Sequence, residues 1–440
     1  MTGAGIISRI LGFFYRIFLS QTIGASGLGL YQLIFPVFTL SLAVSASGIQ
    51  TAISRFAASE KNGKRYLYAG LLLSLSFAFL FSIFIYLLAP WLATDILKEP
   101  RTCELLRVMV FAIVPACIHS CFNGYYYGRK NSVIPSACQI VEQLARVFGT
   151  FVIYHILLDQ RLPLEPIHAV WGMVISEFAG LFLNITAFLG IKKECDNNTD
   201  AANALRQKKY PLFHSINNTA LLYTTTLALG RMAIPLTLNH VLMTLSHSLE
   251  NLLLPQQLVA FGFTSDEALE HFGILTGMAL SVIFFPSAIT NSLSVLLLPR
   301  ISETKAKGDM HAVLETIKGA MCCGVALGSL CTFVFLLTAD WFGTYLFEHT
   351  LAGFYIRILS ILCPFMYTSN LLSSIVNGLG NASLTLACNL TGCGIRILAI
   401  WVFVPIYGMY AYIISMIAAA IVVTIELIIV VKKNCNTFSL

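Results

Sequence analysis

Apolar runs of about 20 residues, the length that crosses a bilayer as a helix, recur along the whole chain. They fall at 3–23, 31–54, 66–90, 107–127, 134–157, 167–191, 228–253, 272–298, 315–337, 351–377, 384–405 and 408–430. Between them there is no room for a sizeable soluble domain. Composition agrees: 57% of the 440 residues are hydrophobic and 11% charged, against roughly 25% charged in soluble domains. The fold class is therefore an all-α integral membrane protein of about twelve transmembrane helices.

Placing the N-terminus inside puts 17 of the 27 Lys and Arg in inner loops. The outer loops then hold 4, namely Lys98, Arg101, Arg107 and Arg161. That bias predicts both termini on the cytoplasmic side of the cell membrane. It also reads the net charge of +6 as topology and not as a nucleic-acid surface. The first run carries Arg9 and Arg16 and is followed by no small-residue cleavage site, so it reads as a retained span. The twelve Cys form no CxxC pair or metal spacing and read as small buried hydrophobes. No metal is expected.

The chain resembles itself at a spacing of 250 residues. GRKNSVIPSACQIVEQLAR aligns with GLGNASLTLACNLTGCGIR, pairing Gly128 with Gly378, Asn131 with Asn381, Cys138 with Cys388 and Arg146 with Arg396. LIFP in the second run, ending at Pro36, matches IFFP in the eighth, ending at Pro286. Six helices per half is an even number, so both halves insert the same way round, as parallel repeats. The expected division is a six-helix lobe over 1–191, a cytoplasmic linker over 192–227 and a second six-helix lobe over 228–440. Residues 211–227 read as an amphipathic segment on the inner leaflet rather than a span.

The opening GAGIISRILGFFYRIFLSQTIGASGLGLYQLIFPVFTLSLAVSASGIQTAISRFAA, with SLENLLLPQQL, FFPSAITNSLSVLLLPRISE and PSACQIVEQLARV, resembles the stage V sporulation protein B and polysaccharide biosynthesis protein family. That family belongs to the multidrug/oligosaccharidyl-lipid/polysaccharide exporter superfamily. The resemblance covers essentially the whole chain. It implies two six-helix lobes around a central cavity, and flipping of a lipid-linked oligosaccharide or peptidoglycan precursor from inner to outer leaflet. There are departures. The lipid II flippase branch has arginines in its second and eighth spans, and here 31–54 and 272–298 carry no charge. Drug-exporting relatives place an acid early in the first lobe, and the first two spans here have none.

Charges inside the membrane each cost roughly 2.5–3.5 kcal/mol on the insertion scale, so each calls for a reason. Arg9 and Arg16 lie two helical turns apart and share a face. They are candidates for a cationic wall that meets a pyrophosphate, although Arg9 could instead snorkel to the inner headgroups. Glu142 and Arg146 have the spacing of an intrahelical pair. At the repeat-equivalent position Gly392 replaces Glu142, so Arg396 is expected to lack a local partner and to be free for substrate. Asn291, in the family-like FFPSAITNSLS stretch, joins Arg9, Arg16, Arg146 and Arg396 as a substrate-binding candidate. Glu142, Glu177, Glu250 and Asn251 are candidates for coupling or structural ion pairing. His240 and His247 share one helical face and read as buried packing.

No GxxxxGK[ST] phosphate loop is present and the outer loops hold no catalytic constellation, so no cofactor and no enzyme activity are expected. Coupling to a cation, a proton or the membrane potential stays open. The expected partners are membrane lipid and a lipid-linked sugar, with the protein acting as a monomer. A cation-coupled multidrug exporter of the same superfamily is the alternative reading.

Overall fold

The computed structural model describes residues 2–59, 63–203, 217–307 and 309–437, and these are helical almost throughout. In hydrocarbon every backbone N–H and C=O must find a partner within its own segment, which long helices achieve. The first half comprises α1 (Thr2–Leu33), α2 (Phe35–Leu42), α3 (Gly48–Ser59), α4 (Gly63–Trp91), α5 (Thr102–Gly128), α6 (Val133–Asp159) and α7 (Pro166–Asn203). The second comprises α8 (Asn217–Phe261), α9 (Ser265–Gly273), α10 (Leu280–Phe284), α11 (Ser287–Ala306), α12 (Met310–Trp341), α13 (Thr350–Leu359), α14 (Leu362–Gly378), α15 (Ala382–Val402), α16 (Val404–Tyr407) and α17 (Met409–Thr437).

Among the described residues nine helical segments are long and apolar enough to cross a membrane, or ten if the bent pair α13–α14 (54°) is one span. The twelve expected spans are all helical. Gly3–Ser59 is a single run of 57 residues, roughly 85 Å of helix at 1.5 Å per residue and so enough for two crossings. Its break is Gly24, at φ 73° and ψ 177°, a left-handed backbone that glycine adopts without a Cβ penalty. The seventh expected span lies in α8, which is more polar because it carries Arg231, His240, His247, Glu250 and Asn251. Within the expected linker 192–227, α7 continues to Asn203 and α8 starts at Asn217, so 217–227 are the first turns of α8. The rest of the proposed amphipathic segment, 211–216, lies outside the described residues.

The repeat is visible in the backbone. π turns interrupt the helices at Leu92–Ile96 and at Phe342–Leu346, 250 residues apart. Left-handed residues follow each at the same offset, Lys98 with Glu348 and Lys130 with Gly380. Helices α5 and α14 end at Gly128 and Gly378. There a Cβ would meet the Ser54 carbonyl at 2.3 Å and the Leu298 carbonyl at 2.9 Å respectively, so both glycines serve close helix packing.

Packing divides the molecule along its length. Near the connection at 129–132 one buried cluster gathers Ile49, Ile53, Leu67 and Tyr126 of the first half, with Leu229 and Ala233 of α8 packed onto it. The second half has a separate one near 307–309 and 379–381, with Ile301, Val313, Leu371 and Leu379. At the opposite end a single core joins both halves, uniting Leu28, Leu33 and Leu164 with Leu269, Phe272, Phe347 and Met409. The buried cores of the two lobes are thus joined at one end and separate at the other, and a space lies between the lobes.

The cysteine expectation holds for Cys117, Cys121, Cys138, Cys363, Cys388 and Cys393, which are buried. It fails for Cys322 and Cys323, which are exposed on α12.

Candidate functional site

A cavity of about 530 Å³ lies between the lobes. Helix α1 supplies Ser8, Arg9, Gly12, Phe13, Tyr15 and Arg16 to its wall. The periodicity of α1 explains this: Arg9, Gly12 and Arg16 recur on one face, while Phe14 lies off that face and is exposed. Helix α6 adds Gln139, Gln143 and Arg146, and the α1–α2 region adds Tyr31, Gln32 and Phe35. The second lobe adds Ser281, Phe284, Phe285 and Ser287. Three arginines expected from sequence therefore converge on one chamber, and among the described residues no Asp or Glu lines it. The Gln143 Oε1 atom is buried there without a hydrogen-bond partner.

Two of these arginines reach across to carbonyls of the broken eighth span. Its π turn at Ile274–Ala279 and the break at Phe285–Pro286 interrupt the regular ladder, and freed backbone groups at membrane depth need new partners. Arg9 Nη1 donates to the Phe284 carbonyl at 3.3 Å and to Ser287 Oγ at 2.5 Å. Arg16 Nη1 donates to the Thr276 carbonyl at 3.5 Å. Each arginine thus ties α1 to the second lobe and leaves further donors for the cavity.

Arg146 departs from expectation. Its ion-pair partner is Glu177 on α7, at 3.6 Å, and not Glu142 one turn away. Ser176 accepts from its Nε and Nη2 at 3.2 and 3.1 Å. Glu142 turns instead to His119 on α5, 3.4 Å from Nδ1, and accepts from the Cys138 thiol at 3.0 Å. His119 Nε2 lies 2.8 Å from Glu177. The glycine at 180 makes room for this: a Cβ there would sit 2.4 Å from Glu142 Oε1. Ligand atoms of His119, Cys138 and Glu142 approach within 4.8 Å of one another, and Cys138 donates to Glu142 within this group.

Arg396 is not free. Glu250 on α8 takes it in a fork, Nε to Oε2 and Nη2 to Oε1, both at 2.9 Å. The missing acid at Gly392 is replaced across the helix interface, which the sequence offset could not show. Neither residue lines the cavity. Asn291 is also outside it and accepts from the Asn370 amide on α14. Asn251 follows Glu250 on α8, outside the cavity and half-buried. His240 and His247 are exposed, contrary to the packing reading, with His247 4.0 Å from Glu250. Arg357 pairs with Asp340.

Arg396→Ala is expected to lower thermal stability by about 3–5 kcal/mol, because it strands a buried carboxylate. The double change Arg396→Met with Glu250→Gln is expected to recover most of that loss. Thermal unfolding of the purified variants checks it; equal melting of single and double variants would contradict the pairing.

At the fused end, the α4–α5 connection is latched to the start of α9. Arg101 Nε donates to Glu99 Oε1 at 2.7 Å, and Arg101 Nη2 meets Asp266 at 2.7 Å. Ser265 Oγ donates to Glu99 Oε2 at 2.7 Å. Burial alone would raise the Glu99 carboxyl, but the bonds from Arg101 and Ser265 outweigh it and hold it below the usual carboxylate range. The Glu99 contact raises Arg101 in turn.

His119, Ser176, Tyr31 and the Thr276 carbonyl were not singled out from sequence. His119 alone carried a signal, as an ionisable residue inside an apolar run.

The family model described as "Polysaccharide biosynthesis protein" matches residues 1–264. The chain is 24% identical over 433 residues to stage V sporulation protein B of Bacillus subtilis (strain 168), covering 97% of this chain and 81% of that protein. Among solved structures it resembles a lipid II flippase in an inward closed conformation, with a TM-score of 0.71, 13% identity and coverage of 99% and 89%. It also resembles an inward-facing multidrug resistance transporter of the MATE family, with a TM-score of 0.65, 13% identity and coverage of 100% and 96%. At these identities the two structures speak for the fold, the two-lobed membrane architecture.

Proposed function

The chain belongs to the polysaccharide biosynthesis protein family, and we propose from that premise that it flips a lipid-linked sugar across the cell membrane by alternating access. The observation that carries this is the convergence of Arg9, Arg16 and Arg146 on one interlobe cavity without an acid on its wall. Guanidinium groups match phosphate oxygens in forked geometry, and a polyprenyl-linked sugar presents a phosphate where the lipid meets the headgroup. The polar Gln139, Gln143, Gln32 and Ser281 suit sugar hydroxyls. The cavity lies within one chain, so a monomer suffices. Both termini are cytoplasmic in this reading, which makes the separate-core end the inner one and the fused end the outer one.

The multidrug-exporter alternative shares the fold. Its cationic substrates would need a negative wall, and the acids nearest this chamber, Glu142 and Glu177, are engaged with His119 and Arg146. Competition binding separates the two readings. A short-chain prenyl pyrophosphate is expected to bind the purified protein and a lipophilic cationic dye to bind at least tenfold more weakly; the reverse order would favour drug export.

The lobes must separate at the outer latch before cargo can leave outward. Glu99→Gln is expected to favour the outward-open form. Because the Glu99 carboxyl is held low, its contribution to the latch is complete above the ordinary carboxylate range of about 4. It is lost as pH falls through the lower, latched value. A latch whose closure, followed by spin-label distances, weakened on raising the pH from 5 to 7 would contradict this sign.

A further inference from the structure

His119 stands between two carboxylates, with Nε2 2.8 Å from Glu177 and Nδ1 3.4 Å from Glu142. A neutral imidazole has one N–H and can serve only one of them; with that proton on Nε2 toward Glu177, the Nδ1 lone pair meets the Asn123 amide and Glu142 receives no N–H from the ring. An imidazolium serves both. Charge counting leads to the same place. Arg146 balances one acid, and the second is balanced only when His119 carries a proton. All four side chains are largely buried, with 12% of His119, 19% of Glu142, 9% of Glu177 and 21% of Arg146 exposed, so an uncompensated charge there is costly.

The groups facing His119 come from three helices. On its own α5, the Asn123 amide lies 3.4 Å from Nδ1. Helix α6 brings Glu142, with Cys138 bonded to that acid, and α7 brings Glu177. Arg146 approaches through Glu177, and Tyr15, Tyr31 and Arg16 of α1 lie beyond Arg146. The repeat supplies a contrast. Positions 250 further on from His119, Glu142 and Glu177 are Ser369, Gly392 and Leu427. There, among the described residues, Arg396 pairs with the single acid Glu250 and the charges balance without a proton.

Glu177 is shared. It sits closer to His119 than to Arg146, 2.8 against 3.6 Å, and Arg146 also lines the cavity. We propose that His119, held between Glu142 and Glu177, is a proton-binding site whose loading releases Arg146 to hold an anionic phosphate in the cavity, so that proton and phosphate bind together. Loss of the proton leaves two acids facing a single guanidinium and draws Arg146 away from the cavity. The inference rests on the lipid-phosphate reading and adds a linkage to it. By reciprocity the phosphate must then promote proton uptake by the same factor.

The test is calorimetry of a short-chain prenyl pyrophosphate binding to the full chain in detergent, in buffers of different ionisation enthalpy. Wild type is expected to take up protons beyond those the ligand itself exchanges. Its affinity is expected to gain about tenfold between about pH 8.5 and about pH 5.5 relative to His119→Gln. Glu142→Gln, which removes the unbalanced acid, is expected to flatten the profile in the same way. Binding by wild type with no excess proton uptake overturns the linkage and leaves the flippase reading standing, and needs no variant to fold. One pH profile common to wild type and both folded variants overturns it equally. No pyrophosphate binding by wild type at any pH overturns both.

Discussion

Arg16→Ala is expected to weaken binding of a lipid pyrophosphate by roughly 10–150-fold, the range of about 1.5–3 kcal/mol for a hydrogen bond to a charged group. Arg16 lies mid-span on the face of α1 that lines the chamber. Among the described residues its hydrogen bond to the protein is one long one, 3.5 Å to the Thr276 carbonyl, so most of its five donors remain for a ligand. Arg16→Lys keeps the charge and loses the fork, and is expected to recover only part of the affinity. Thermal unfolding run alongside separates a binding defect from misfolding. Wild-type affinity in a folded Arg16→Ala protein would remove this residue from the substrate site.

The second large effect is expected at Gly29. There the second part of α1 crosses α9 with backbones in contact. A Cβ on Gly29 would lie 2.0 Å from the Leu269 carbonyl oxygen, and one on Gly273 would lie 2.1 Å from that of Ala25. Both obstacles are main chain, so no side chain can swing aside and the helices must part. Overpacking of this kind costs about 1–3 kcal/mol. Here the strain is relieved by the very separation that alternating access requires at the fused end. Gly29→Ala is thus expected to shift the population toward the outward-open form by roughly 5–150-fold and to slow transport. Spin labels at Arg161 and Glu348, on the outer connections of the two lobes, should report a longer distance in the variant. An unchanged distance with normal transport would show that this crossing does not gate.

Much of this architecture is legible in the sequence because the bilayer imposes a length on every span and the repeat imposes a symmetry. Arg9 and Arg16 could be placed on one face from their spacing alone, and they do share the chamber. What sequence could not supply was which helix faces which. Glu142 and Arg146 have ideal spacing for each other, yet α7 offers Glu177 and Ser176 to the arginine and α5 offers His119 to the acid. The repeat misled at Arg396 for a related reason. A lost acid on one helix is made good by Glu250 from another. Interruptions were only half visible. Pro36 and Pro286 marked the breaks in the second and eighth spans, but the π turns at Ala43–Ser47 and Ile274–Ala279 have no residue signature of their own. The carbonyl that Arg9 seeks lies beside Pro286, at Phe284, and the one that Arg16 seeks lies in the π turn, at Thr276.

The central claim, that this chain moves a phosphate-linked lipid sugar between leaflets, is tested most directly in proteoliposomes. A labelled polyprenyl-pyrophosphate sugar is loaded into the vesicles, and a membrane-impermeant enzyme or quencher outside reads the fraction that becomes exposed. Wild-type protein is expected to raise that exposure well above protein-free vesicles, and Arg16→Ala to return it to near the background. No exposure by wild type of any labelled precursor, together with export of cationic dyes from the same vesicles, would contradict the account and assign the cavity to drug efflux.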